Sequence, residues 1–368
     1  MFPGLRFSAE DVEEACRRAT AREVAASLSA PRPGWHDLLN LISPAAIPFL
    51  GAMRREAATR RRRHYGRTVA VYAPLYIGNT CVNSCRYCDF RAAHSGTVRR
   101  NLSMDEIRRE ALTVRSSGID SLLVVAGEDP RVNTVEHLAE VGGLLKTIFS
   151  NLSLEVAPRT QEEYGTLFAA GYEGLVCFQE TYDRERYAYF HPAGPKRDYD
   201  FRLGTQERAG RAGFRLLGCA FLLGLSPWRP EAASLAAHAV RLMRECPRAK
   251  VQFAFPRFCA TEGGGFTPEF PVTPQDLELM MLAFRIVFPQ CGITVSTREP
   301  PDFRDAIVQT AADNMSAGSR VVPGGYAVRT DGDVAQFTLS DARSPAEVFN
   351  AIRANGQEPV FKYWDGRI

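Results

Sequence analysis

From Thr68 onward, short apolar runs rich in β-branched residues alternate with longer amphipathic stretches. Continuous apolar runs mark strands buried on both faces, and their alternation with helical patterns argues for βα units around a parallel sheet. Eight such strands are expected: Val69 to Tyr76, Ser121 to Val125, Ser153 to Val156, Gly174 to Phe178, Arg215 to Leu222, Val251 to Phe255, Ile293 to Ser296 and Asp313 to Ala317. The 66 residues before them read as helical. Ser8 and Asp11 form a capping box that opens a helix through about Leu28, which Pro31-Arg32-Pro33-Gly34 breaks. A second helical stretch starts near Trp35, and Ser43-Pro44 opens a third that runs toward His64 before Gly66. The fold class expected is therefore α/β: a (βα)8 TIM-type barrel over residues 67–322, a helical N-terminal extension over 1–66 and a short, less regular C-terminal segment over 323–368.

In such barrels the functional residues lie at the C-terminal ends of the strands, and most of these runs end in polar or glycine-rich chemistry. A cysteine loop follows the first, Gly127-Glu128 the second, Pro158-Arg159 the third and Gln179-Glu180-Thr181 the fourth. Gly224, Pro256-Arg257, Thr297-Arg298-Glu299 and Ser319-Arg320 follow the others. That density points to one site assembled on one face.

Composition narrows the classes further. At 368 residues and 45% hydrophobic, the chain can bury a large core. A net charge of +3 does not point to a nucleic-acid partner. The densest basic run, Arg60 to Arg63, reads as a solvated helix face. No secretory signal opens the chain and no apolar run is long enough to span a bilayer, so no membrane is expected and a cytoplasmic protein is. Cys16, Cys177, Cys219, Cys246, Cys259 and Cys291 are scattered and read as buried free thiols.

The remaining three cysteines stand in C-V-N-S-C-R-Y-C, from Cys81 to Cys88. Three thiolates at this spacing can hold three irons of a [4Fe-4S] cube and leave the fourth iron open for a small molecule. Thiolates at short spacing also suit Zn²⁺, with His94 as a fourth ligand and a structural module as the consequence. Structural zinc sites usually repeat a C-x₂-C unit, and none recurs here.

The cysteine loop, with Tyr87 before its last thiol, resembles the signature of radical S-adenosylmethionine (SAM) enzymes. Further motifs, in order, are L-I-S-P-A-A from Leu41, V-Y-A-P-L-Y from Val71, F-Q-E-T-Y from Phe178, G-L-S from Gly224, F-P-R from Phe255, S-T-R-E from Ser296, N-M-S-A from Asn314, P-G-G-Y from Pro323 and the terminal P-V-F-K-Y-W. Together they resemble the ThiH family of tyrosine lyases (2-iminoacetate synthases) over nearly the whole chain. The resemblance implies a radical SAM barrel with one [4Fe-4S] cluster and SAM as cofactors. It further implies cleavage of the Cα–Cβ bond of L-tyrosine to p-cresol and 2-iminoacetate for the thiazole of thiamine, with SAM converted to methionine and 5'-deoxyadenosine. The thiazole synthase ThiG, and an electron donor such as flavodoxin or ferredoxin, are the implied partners. The tryptophan lyase NosL shares the head-group anchors and is the alternative; HydG splits tyrosine too but carries further C-terminal cysteines for a second cluster.

Residue by residue, the resemblance implies cluster ligation by Cys81, Cys85 and Cys88. Tyr87 corresponds to an aromatic near the SAM adenine, or packs. Gly127 and Glu128 correspond to the element that receives the SAM amino group, Glu180 to the ribose site and Arg202 to an arginine on the SAM carboxylate. Arg298 is the expected anchor of the substrate carboxylate, flanked by Tyr76 and Ser316, since a guanidinium fork holds a carboxylate with two parallel hydrogen bonds. Two departures bear on selectivity: Asp89 stands where the family commonly has glycine, and F-C-A-T-E-G-G-G-F follows Arg257 where relatives usually carry another Arg-Pro.

Overall fold

The structure is a computed structural model that describes residues 7–94, 96–259, 265–328 and 335–361. All eight expected strands are present: β1 (Thr68–Gly78), β2 (Ser121–Ala126), β3 (Asn151–Glu155), β4 (Gly174–Glu180), β5 (Leu216–Phe221), β6 (Lys250–Ala254), β7 (Gly292–Val295) and β8 (Asn314–Ser316). Every pairing is parallel and runs between sequence neighbours, and β1 also pairs with β8, which closes the barrel. Closure fixes the register. Tyr76 lies opposite Val125, which lies opposite Glu155, so these three form one row across the C-terminal lip.

The N-terminal extension differs from its expected outline in two places. The first helix is two, Ala9–Arg18 and Ala21–Ser29, because Thr20 and Glu23 make a second capping box. After Ser43 the chain first forms a 3₁₀ turn, Pro44–Phe49, and the α-helix begins only at Leu50; Pro48, with no N–H to donate, sits within that turn. The extension covers the barrel's flank: helices Trp35–Leu41 and Leu50–Tyr65 pack on Pro274–Val287, which is consequently buried almost all round. This contact also corrects the reading of the basic run. Arg62 and Arg63 are exposed, but Arg61 is fully buried and donates to the carbonyls of Ala312 (2.6 Å) and Thr68 (2.7 Å). With the Arg285–Asp313 ion pair at 2.5 Å, it satisfies backbone groups at the N-terminal end of the barrel.

The C-terminal segment attends both ends of the barrel. An unexpected ninth strand, β9 (Glu358–Val360), lies parallel to β1 from Thr68 to Ala70, at the N-terminal end. At the other end, Glu110 accepts hydrogen bonds from the backbone of Tyr326, Ala327 and Val328, and Tyr326 donates to the Pro74 carbonyl at 2.8 Å. Gln336, whose N–H donates to the Val321 carbonyl at 3.0 Å, and Phe337 lie over the barrel mouth.

Three connected spaces run inward from that mouth instead of a fully packed interior. About 700 Å³ lies by the cysteine loop, about 750 Å³ under Phe337 and about 560 Å³ lower in the barrel. Glu155 and Phe178 line all three. Among the described residues no helix is long and apolar enough to cross a membrane.

Candidate active site

The cysteine loop leaves the end of β1 and is tied to the strands around it. Val82 donates to the Glu128 carbonyl at 2.8 Å and Ser84 to the Ala193 carbonyl at 3.2 Å. Cys81, Cys85 and Cys88 line one cavity, together with Gly127, Glu128, Glu180, Lys196 and Arg202. Burial raises the Cys85 thiol and pushes Cys88 up to about 12, and the neighbouring thiols add to the rise. Thiolates here therefore need a cation beside them, which is what iron supplies. The zinc reading loses its fourth ligand, because His94 does not line the cavity and its Nδ1 sits 2.8 Å from Thr97 Oγ1. Among the described residues no group of three His, Cys, Asp or Glu side chains is set to hold a single metal ion. Three thiols on the wall of one cavity are the donor set of a [4Fe-4S] cube with one iron left open.

The pocket beside the thiols is shaped for a polar ligand. Gly127 must be glycine: a Cβ there would lie 2.4 Å from the Thr80 carbonyl oxygen, so the second strand's end could not approach the cluster loop. Asn83 donates to Glu128 Oε2 at 2.6 Å, and its own Oδ1 accepts from the Lys196 backbone at 2.9 Å. One loop amide thus orients Glu128 and joins the residue 194–196 turn to the cluster loop. Glu180 is the one non-glycine among the described residues with positive φ (+71°), at a register irregularity between β4 and β5. Strain of this kind costs of order 1–3 kcal/mol and tends to sit at functional positions.

Glu180 is held through one of its two carboxylate oxygens. Its Oε1 pairs with Lys196 Nζ at 2.6 Å and Arg202 Nη2 at 3.4 Å. Burial alone would raise this carboxyl, but the two cations outweigh it and hold it below the usual range. Lys196, for which the sequence offered no motif, lines the same cavity and was not foreseen. Arg202 is half-buried on the same side and also donates to the Phe178 carbonyl at 2.6 Å. The Tyr87 hydroxyl is 2.8 Å from His191 Nε2 and its ring meets Phe190 and Phe266 edge to face. It does not line the thiol cavity.

The second space collects the expected head-group residues. Arg298, Tyr76 and Ser316 all line it, brought together from the ends of β7, β1 and β8. The Arg298 guanidinium lies 3.5 Å from the centre of the Phe337 ring, and among the described residues it has no carboxylate partner. Tyr76 donates to Gln336 Oε1 at 2.6 Å. Ser316 Oγ accepts from the Thr297 backbone at 3.2 Å, and buried Arg304 bonds both the Ser316 carbonyl and Asp341. Gln336 and Phe337, from the segment without periodicity, complete walls that sequence patterning did not reveal. Of the two departures, Asp89 is buried and 3.4 Å from Arg91, facing away from the substrate space, while positions 260–264 lie outside the described residues.

Glu155 joins the two spaces. It stands at the end of β3, where the sequence reading looked past it to Pro158-Arg159. Burial raises its carboxyl to about 7; Glu180 adds to the rise, while Arg298, Lys196 and Arg202 oppose it.

Comparison with known proteins agrees with this geometry. Residues 75–235 match the radical SAM superfamily and 254–358 the biotin and thiamin synthesis associated domain. The 2-iminoacetate synthase of Salmonella typhimurium is 35% identical over 97% of this chain and 94% of its own length. That of Escherichia coli is 35% identical over 98% and 95%. The crystal structure of HydG, a maturase of the [FeFe]-hydrogenase, superposes with a TM-score of 0.89 at 28% identity, covering 96% of this chain and 79% of that one. A barrel whose lip gathers three cysteines on one side and an unpaired arginine on the other, in a sequence alike over its whole length, places this chain in the 2-iminoacetate synthase family of radical SAM lyases.

Proposed function

We propose that the protein cleaves L-tyrosine at the Cα–Cβ bond to 2-iminoacetate (dehydroglycine) and p-cresol, converting SAM to methionine and 5'-deoxyadenosine and supplying the thiazole of thiamine. The observation that carries this reading is the common wall. The thiol cavity and the space around Arg298 meet at Glu155, Phe178 and Gln336, so a cofactor and an amino acid can be held edge to edge.

Cys81, Cys85 and Cys88 hold a single [4Fe-4S] cluster in this proposal, and Gly127, Glu128, Glu180, Lys196 and Arg202 surround SAM. When bound, that pair supplies a 5'-deoxyadenosyl radical that removes a hydrogen atom from the tyrosine amino group. The chain's own residues position and exclude water. Arg298 grips the carboxylate with its two-pronged fork, held flat by Phe337. Tyr76 and Ser316 flank the head group, and the lower space walled by Leu123, Val176, Phe178 and Phe253 accepts the ring. An electron donor such as flavodoxin or ferredoxin reduces the cluster, and the thiazole synthase ThiG receives dehydroglycine.

The test is to incubate the reconstituted protein with SAM, a reductant and either tyrosine or tryptophan and to identify the products. p-Cresol and glyoxylate, the hydrolysis product of dehydroglycine, support the reading. Products from tryptophan alone would assign the enzyme to the tryptophan lyases.

A further inference from the structure

Glu155 is a side chain that the cofactor and the carboxylate anchor leave without a task. Its carboxylate makes no hydrogen bond or ion pair among the described residues, although it faces all three inner spaces. Glu155 is half-buried and lines the cavities, and a carboxylate set inside a barrel without a protein partner suits a ligand that supplies one. On one side it faces Arg298, after β7; on the other lie Glu180 at the end of β4 and Lys196 and Arg202 beyond it. From β1, Tyr72 and Tyr76 also feel its charge. Leu123, Val125, Val176 and Phe178 complete its surroundings and carry no charge.

These neighbours fix what must lie against it. A tyrosine whose carboxylate is on Arg298 and whose amino nitrogen faces the cofactor compartment brings that nitrogen to the wall shared by the two spaces, which Glu155 helps to form. We infer that Glu155 is the general base that takes a proton from the substrate's α-ammonium group. The inference rests on the tyrosine lyase reading. The step moves one proton and no electrons: an N–H bond of the ammonium breaks, an O–H bond forms on Glu155, and the nitrogen keeps the electron pair. A neutral amine then meets the hydrogen-abstracting step, so removal of its hydrogen atom leaves a neutral nitrogen-centred radical instead of a radical cation. A carboxyl raised to about 7 is matched to this work near neutral pH, since proton transfer is most effective when the base titrates close to the operating pH.

The experiment compares unmodified enzyme, Glu155→Gln and Glu155→Asp, each reconstituted with cluster and SAM. Tyrosine dissociation constants are measured without reductant, and kcat and kcat/KM for p-cresol across pH 5.5–9 with it. In the unmodified enzyme kcat/KM rises with pH through an acid limb near 7. Glu155→Gln keeps its iron and binds tyrosine within roughly tenfold, loses about 10²-fold or more in kcat and loses the acid limb. Glu155→Asp regains the limb and part of the rate. A Gln variant whose acid limb persists, or whose loss lies in the dissociation constant with kcat intact, overturns the base assignment in favour of a structural or anchoring part. If unmodified enzyme makes no p-cresol at all, the lyase reading fails instead, and the two failures are distinct.

Discussion

Replacing Arg298 by alanine separates substrate capture from radical generation. The guanidinium is stacked on Phe337 and has no carboxylate partner among the described residues, so its fork is available to a ligand. It lines the substrate space but not the thiol cavity. Losing one buried, charge-assisted pair costs about 2–5 kcal/mol, roughly a thirtyfold to several-thousandfold loss. That loss belongs in kcat/KM for p-cresol, while iron content, SAM affinity and slow uncoupled SAM cleavage persist. Arg298→Lys recovers little, because an ammonium is a point charge and cannot make the parallel pair of bonds. Phe337→Ala gives a milder defect of about 0.5–1 kcal/mol, a few-fold, since it removes the ring that holds the fork flat but not the fork itself. The assay is p-cresol and 5'-deoxyadenosine, quantified side by side at subsaturating tyrosine. Arg298→Ala forming p-cresol at the unmodified rate would refute the anchor.

Reconstituted protein should carry about four irons per chain, as one cube requires; eight, or stoichiometric zinc without iron, would defeat the single-cluster assignment. Glu128→Ala should keep its iron, because Asn83 stays tied to the Lys196 backbone, yet weaken SAM binding and 5'-deoxyadenosine formation; loss of the cluster would make Glu128 structural. Arg304→Met removes one of the two arginines on the buried Asp341, leaves Arg343 in place and takes the donor from the Ser316 carbonyl, so it should lower stability by about 1–3 kcal/mol, read as a fall in thermal midpoint, with an unchanged midpoint counting against it. Burial works to raise the Asp341 carboxyl, but the Arg343 hydrogen bonds and Arg304 outweigh it and depress it. Its stabilisation is therefore present above the unfolded carboxylate pKa and lost as pH falls through the folded one, so Asp341→Asn should flatten acid denaturation.

The eight strands were legible because a parallel strand with both faces covered is an unbroken apolar run, and each ends where polar chemistry begins. Thr20 was legible too and was passed over: Thr20-x-x-Glu23 is the same capping signature as Ser8-x-x-Asp11. Glu155 offered a fainter signal, a carboxylate inside an apolar strand, hidden by extending that strand one residue too far. β9 offered none, because a three-residue edge strand with an exposed glutamate has no periodicity. The same is true of Gln336 and Phe337: Gln336 is held by its N–H on the Val321 carbonyl and by the Tyr76 hydroxyl, 260 residues away in sequence. Arg61 and Arg62 are chemically alike, and only the packing of helix Leu50–Tyr65 on the barrel decides which one is buried.

The site divides along the same line as the two homology regions. Every residue proposed for the cofactor side, from Cys81 to Arg202, lies within residues 75–235, and Glu155 lies there too. Arg298, Ser316, Gln336 and Phe337 lie within 254–358. Tyr76 belongs to the first region but is bonded to Gln336 of the second at 2.6 Å, so one hydrogen bond spans the division at the barrel mouth. Changes in the second region can therefore alter which amino acid is held without disturbing how the radical is made. Changes in the first should alter radical formation for any substrate. Glu155 is the exception that tests this division, being supplied by the cofactor half while facing the substrate half. Its replacement should stop tyrosine cleavage with SAM binding and uncoupled SAM cleavage intact, a phenotype otherwise expected only from residues of the second region.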